Sequence, residues 1–154
     1  QSFLEKEMNL AIRKNATLCL IMADVDSFKY FNDKYGHQAG DFILKELCKV
    51  MRKSLRDYDI LARYGGEEFA IVLVETTGQE ALIVAEKLRE TIATHSFIYH
   101  NTKCNVTASF GLAEIKPAVD AFTKNDLISF ADKALFESKK KGRNRVTLYA
   151  KTET

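Results

Sequence analysis

Apolar residues recur at helical spacing from the start of the chain, where Leu4, Met8, Ala11 and Ile12 share one face of an amphipathic helix that ends near Asn15. No cap residue stands before it, so the expectation is an N-terminally truncated piece of a longer protein. Leu18 to Asp24 is a nearly unbroken apolar run of strand length, the pattern of a strand covered on both faces. A short helix around Phe28 to Tyr35 gives way to a break at Gly36 and Gly40. Asp41 then stands as the N-cap of a long helix from Phe42 to Leu55, with apolar residues at 43, 44, 47, 50, 51 and 55. Two strands, Asp59 to Tyr64 and Glu67 to Val74, are separated only by Gly65 and Gly66, which predicts a hairpin with a type I′ turn and positive φ at both glycines. A helix over Glu80 to Ala93, a strand through Val106, Ala108, Phe110 and Leu112, a helix over Asp126 to Ser138 and a strand over Arg145 to Tyr149 complete the series. The order predicts an α/β (α+β) fold, a split βαββαβ sheet with helices over it and one further helix and strand appended. With no internal repeat or linker, residues 1–154 read as a single domain.

Composition narrows the class. With 46% apolar and 29% charged residues, one proline and seven glycines, the 154-residue chain can bury a core without staples and is neither disordered nor fibrous. Its longest apolar run, Leu18 to Ala23, falls short of the roughly 18 to 20 residues of a membrane helix. Cys19, Cys48 and Cys104 are widely spaced in apolar surroundings, which predicts reduced core thiols and a cytoplasmic setting. A net charge of +2 gives no reason to expect a nucleic-acid partner. The charges are nevertheless clustered: Lys139, Lys140, Lys141, Arg143 and Arg145 crowd the end of the chain, as a solvated run or a phosphate-binding set. Acids pair as Asp24 with Asp26 and Glu67 with Glu68.

Asp24 and Asp26 lie two apart at the end of the first strand, so both carboxylates can share a face where α/β sheets place ligands. Close carboxylates raise one another's pKa unless a cation neutralises them, and hard oxygen donors suit magnesium. Glu67 and Glu68 follow the Gly-Gly turn, and strand alternation predicts that one faces those carboxylates while the other faces away. Either pair alone is more often a solvated turn or a charged hairpin tip.

Together the motifs say more. The string Tyr64-Gly65-Gly66-Glu67-Glu68-Phe69, the segment from Asp24-Val25-Asp26-Ser27-Phe28-Lys29 through Asn32 to Gly40-Asp41, and Lys139-Lys140-Lys141-Gly142-Arg143-Asn144-Arg145 closely resemble the GGDEF family of diguanylate cyclases in its GGEEF form. The resemblance covers essentially the whole chain; the family's usual opening motif would fall before Gln1. It implies a sheet like the palm of nucleotidyl cyclases and polymerases, and the condensation of two GTP into cyclic di-GMP with loss of two pyrophosphates at a homodimer interface. It further implies that Asp24, Glu67 and the main-chain carbonyl of Val25 hold Mg2+, or Mn2+, and that Glu68 assists activation of the ribose 3′-hydroxyl. Asn32 and Asp41 would read guanine, the backbone at Ser27, Phe28 and Lys29 would wrap the phosphates, and Lys139 and Arg143 would reach the terminal phosphates. Asp41 thus has two competing readings, helix cap and base reader. Arg56 and Asp59 match the family's inhibitory RxxD site for the product, with Lys87 where a supporting arginine is usual, so feedback is expected to be weaker. An upstream sensor or regulatory domain is expected as a partner. The alternative is a catalytically silent module that binds cyclic di-GMP or GTP.

Overall fold

Burial on both faces sets the centre of the molecule. In the computed structural model, which describes residues 3–117, 119–121 and 123–150, the strand β1 (Leu18–Val25) is buried at every position. It lies between β3 (Glu68–Val74) and β6 (Ala108–Ile115), antiparallel to both, with β2 (Ile60–Gly65) and β7 (Val146–Leu148) at the edges. The order is β2-β3-β1-β6-β7, and only β7 runs parallel to its neighbour.

Alternation divides β1 between two cores. Cys19, Ile21 and Ala23 pack with α3 (His37–Ser54) and α4 (Gly78–Thr94) on one face; Leu18, Leu20 and Met22 pack with α1 (Phe3–Lys14) and α5 (Lys124–Lys140) on the other. Asp24, two residues past Met22, inherits the α5 face. The helix α2 (Phe28–Tyr35) links β1 to α3 and falls where the periodicity places it. Thr77 with Glu80 and Thr123 with Asp126 form capping boxes that start α4 and α5. Cys19 and Cys104 are buried, Cys48 is half-buried, and all three are free thiols.

Three expectations are corrected. The long helix begins at His37 rather than Phe42, so Asp41 lies inside α3 and caps nothing; the break is Gly36 alone, at φ 93°. Gly40 continues the helix because its bare face receives the side chain of Asn32. The hairpin turn is shifted by one residue: Gly65 pairs with Glu68, leaving Gly66 and Glu67 as the loop and Tyr64 as an extra residue that bulges β2. Gly66 has φ 38° and Gly65 is not in the left-handed region, so the predicted type I′ geometry is absent. A small hairpin of β4 (Phe97–Tyr99) and β5 (Thr102–Cys104) also appears where no strand was read. Its strands are too short for a period-2 signal, but His100 and Asn101, at φ 47° and 64°, supply the turn.

Candidate active site

The end of β1 places Asp24 directly opposite Glu68 of β3, so both side chains leave the sheet toward α5. The Glu67 carbonyl accepts the Val25 N–H at 3.3 Å, which ties the hairpin loop to β1. Arg63 supports the loop from behind, donating Nε and Nη2 to the Gly66 carbonyl at 3.0 and 2.7 Å. Because Glu67 is a loop residue and not part of the strand, alternation does not send it away: its charge and that of Glu68's neighbour Asp24 act on each other. From α5, Lys139 donates to Asp24 Oδ2 and forms an ion pair with it.

Asp24 Oδ1 is buried and has no hydrogen-bond partner, and the same holds for Asn32 Oδ1. Among the described residues these are the two buried side-chain polar atoms left unsatisfied. Such atoms are costly unless a ligand completes them. Asn32 lies against Gly40, where a Cβ would sit 1.8 Å from its Oδ1, and Gly40 is followed in α3 by the exposed Asp41.

Burial pushes the Asp24 carboxyl above its ordinary value; Lys139 pulls it down, and Glu67 and Asp26 push it further up. Burial likewise raises Glu68, aided by the charges of Asp24 and Asp132, and raises Asp132 on α5. Each group holds its proton more tightly folded than unfolded, so each contributes stability below its unfolded pKa that is lost as pH rises through the folded one. The Glu68→Gln variant, which removes one of these charges, should therefore melt above the wild type at about pH 8 in metal-free buffer, with the gap closing toward about pH 4. Paired thermal melts at the two pH values check this; a lower melting temperature at pH 8 contradicts it.

The expectation that Asp26 shares a ligand site with Asp24 is corrected. Asp26 lies one residue past β1, and its oxygens accept from Thr107 Oγ1 at 2.7 Å, Ser109 Oγ at 2.6 Å and the Asn144 N–H at 3.0 Å. Three protein donors occupy most of its accepting capacity and tie it to β6 and to the turn after α5. Ser27 turns the chain at φ 54° into α2, whose opening residues Phe28 and Lys29 bring main-chain N–H groups to the same end of the sheet. Arg143 is exposed in a left-handed turn after α5; Lys140, which ends the helix, and Lys141, its C-cap, are exposed as well.

Arg56 and Asp59 lie elsewhere, in the loop between α3 and β2. Asp59 is buried and accepts from the Arg56 main-chain N–H at 2.8 Å, from Nε at 3.3 Å and from Nη2 at 3.2 Å. Arg56 also donates to Thr76 Oγ1 at 2.9 Å and lies over the Tyr58 ring at 4.6 Å, while its side chain stays about half exposed. Asp59 therefore fixes the guanidinium, and Arg56 is the group presented to solvent. Lys87 is exposed on α4, two turns past Glu80, whose carboxylate feels the Arg56 charge. Sequence reasoning missed Arg63, Asp132, Ser109, Thr107 and Asn144. Only Asp132 carried a signal, its spacing of seven residues from Lys139 on one helix face.

A largely antiparallel five-stranded sheet, helices on both faces and carboxylates at the end of its central strands define the α+β palm type of the nucleotidyl cyclases and polymerases. Residues 1–145 match the family described as diguanylate cyclase, GGDEF domain. The chain is 43% identical over 141 residues to diguanylate cyclase A of Treponema denticola, covering 92% of this chain and 38% of that protein. Against the probable diguanylate cyclase DgcT of Escherichia coli it is 34% identical, covering 95% and 32%. The GGDEF domain of DgcB from Caulobacter crescentus, solved with c-di-GMP, superposes with a TM-score of 0.87 at 33% identity, covering 95% of this chain and 85% of that one. The active GGEEF domain of a diguanylate cyclase from Vibrio cholerae gives 0.87 at 32%, covering 97% and 93%. The chain belongs to the diguanylate cyclase GGDEF-domain family, and it spans about a third of the length of the curated relatives described here. Among its described residues no helix is long and apolar enough to cross a membrane.

Proposed function

We propose that this domain condenses two GTP into cyclic di-GMP and two pyrophosphates. The observation that carries the reading is the pair of orphaned buried oxygens, on Asp24 at the end of β1 and on Asn32 of α2: one suits a cation, the other a nucleobase donor. Incubating the domain with GTP and magnesium and resolving products chromatographically tests it; the expected products are cyclic di-GMP and pyrophosphate, and GTP recovered unchanged overturns it.

The donor set fits magnesium. Among the described residues no three carboxylate, imidazole or thiolate groups converge to cage an ion. Magnesium instead takes one or two carboxylates and completes its shell with water and phosphate oxygens. Asp24 and Glu67, with the Val25 carbonyl, are the residues assigned to it, and when bound it neutralises phosphate charge and acidifies the 3′-hydroxyl. Lys139 holds Asp24 in its absence and turns to the β- and γ-phosphates with Arg143 when substrate arrives. Glu68, made more basic by burial, sits beside the attacking ribose and receives the 3′-hydroxyl proton. The freed oxygen bonds to the α-phosphorus of the other GTP, and the bond from that phosphorus to the pyrophosphate oxygen breaks. Two such attacks close the ring, so the working unit is a two-fold homodimer with one GTP on each chain.

Main-chain N–H groups at Ser27, Phe28 and Lys29 face the phosphates. Asn32 and Asp41 read guanine; since Asp41 caps no helix, its carboxylate is available. Gly40→Ala tests this placement. The added methyl lands on the Asn32 amide, a movable side chain, so the fold should persist while the KM for GTP rises roughly tenfold, the equivalent of one hydrogen bond. An unchanged KM in steady-state assays would show that Asn32 does not touch the base.

Product inhibition through Arg56, fixed by Asp59 and backed by Lys87, is the regulatory part of the reading. Arg56→Ala should lose cyclic di-GMP binding by calorimetry while GTP turnover persists; equal product binding by both proteins would make the Arg56 and Asp59 contact structural only. Lys87 lacks the guanidinium fork, so inhibition is expected to be weak. In the complete protein, a sensor or regulatory domain would set the dimerisation of this one.

A further inference from the structure

Asp26 is the acid of the site that neither metal nor nucleotide needs, yet it makes more side-chain hydrogen bonds than Asp24. Its Oδ2 accepts from Thr107 Oγ1 and from the Asn144 N–H, at 2.7 and 3.0 Å, and its Oδ1 from Ser109 Oγ at 2.6 Å. Asn144 continues the connection: its Oδ1 accepts from Arg89 Nη1 on α4 at 2.9 Å, and Arg89 Nε is held by Glu86 at 2.9 Å. Three parts of the chain thus meet at one carboxylate, the end of β1, the start of β6 and the turn after α5, and α4 joins them through the Asn144 side chain.

That turn is conformationally costly. Gly142, Arg143 and Asn144 have φ of 124°, 65° and 46°, so two consecutive non-glycine residues are left-handed. Such residues persist only where surrounding contacts hold them. The Arg143 N–H reaches back to the Ser138 carbonyl at 3.0 Å, and Arg145 Nε donates to the Arg143 carbonyl at 3.1 Å. These bonds are local to the turn. The links that hold it against the sheet are Asp26 to Asn144, the β6 hydrogen bond from Phe110 N to the Arg145 carbonyl, and Arg89 to Asn144.

We infer that Asp26, acting through Asn144, is a positioning residue that holds the left-handed turn carrying Arg143, and the end of α5 carrying Lys139, in register with the phosphate-binding end of β1. The inference rests on the proposed GTP site. A carboxylate suits the task because its two oxygens satisfy three donors from three directions. The guanine-reading residues on α2 and α3 are outside this network, so Asp26 governs affinity for the triphosphate and not for the base.

Calorimetry with a non-hydrolysable GTP analogue and with GMP, both in magnesium, separates these. Asp26→Ala should weaken analogue binding about tenfold and leave GMP within about twofold, with the GTP KM raised in parallel. Asp26→Asn should recover most of the loss, because the amide oxygen can take the Thr107 and Asn144 donors while its NH2 donates to the Ser109 hydroxyl. Asn144→Gly keeps the left-handed backbone and the N–H to Asp26 and deletes only the Arg89 link; it is the variant safe for folding, and its expected loss of analogue affinity is about threefold. Equal losses for analogue and GMP, or unchanged analogue affinity in both Asp26→Ala and Asn144→Gly, overturn the positioning role. A wild-type domain that binds the analogue no better than GMP overturns the reading of the site itself, and with it this inference.

Discussion

The Glu67→Gln variant should form cyclic di-GMP at a rate lower by ~10³ or more, the scale of losing a preorganised charge at a phosphoryl-transfer site. The carboxylate contributes little to the fold. Glu67 is a half-buried loop residue, and what anchors the loop is its carbonyl, which accepts from Val25, together with Arg63 on the Gly66 carbonyl. Glutamine keeps that backbone. It also removes a negative charge that raises the Asp24 pKa, so Lys139 should hold Asp24 more firmly than before. The proposed cation site would thereby be reduced from two carboxylates to one. Product chromatography on purified variant and wild type, with melting temperatures alongside, checks both halves: retained turnover at ordinary magnesium removes Glu67 from the metal site, whereas a large drop in melting temperature makes it structural.

Gly111→Ala should be the most damaging single methyl in the domain. A Cβ there would lie 2.1 Å from the Leu135 nitrogen, 2.3 Å from the Ala131 carbonyl oxygen and 2.6 Å from the Leu135 Cα. All three are backbone atoms of α5, which cannot swing aside as a side chain can. The helix must lift from β6, opening the core of Leu127, Ala131 and Leu135 and drawing Lys139 away from Asp24. Overpacking of this kind costs about 1 to 3 kcal/mol where side chains can yield, and more where backbone must move. Urea unfolding should therefore show a loss of ~3 kcal/mol or greater. Gly65→Ala is the control: no atom lies within 4 Å of its Cβ and its φ is not left-handed, so its cost should stay within about 0.5 kcal/mol. Equal midpoints for the two variants would refute the close approach of α5 to the sheet.

The elements legible from the chain alone were those whose periodicity is local. The apolar run at Leu18 has the length and pattern of a strand buried on both faces, and the stripes on α4 and α5 marked single buried faces, because burial follows side-chain spacing within one element. That Asp24, Glu67, Glu68 and Lys139 belong to one constellation was suggested only by the resemblance of three separated motifs to one family, since either acid pair alone reads as a solvated turn; the register of β1 with β3 and the reach of α5 bring Asp24, Glu68 and Lys139 together. What tertiary structure decided was how residues of similar type divide their tasks. Asp24 and Asp26 look alike in sequence, but Lys139 reaches one across 115 residues, while Ser109 and Asn144 hold the other across 83 and 118. Likewise Gly40 read as a helix break because a glycine's local cost is visible and its benefit, room for Asn32, is not. Hydrogen-bond partners that distant are chosen by strand register and by the height at which a helix crosses the sheet, and neither is written in the spacing of any one segment.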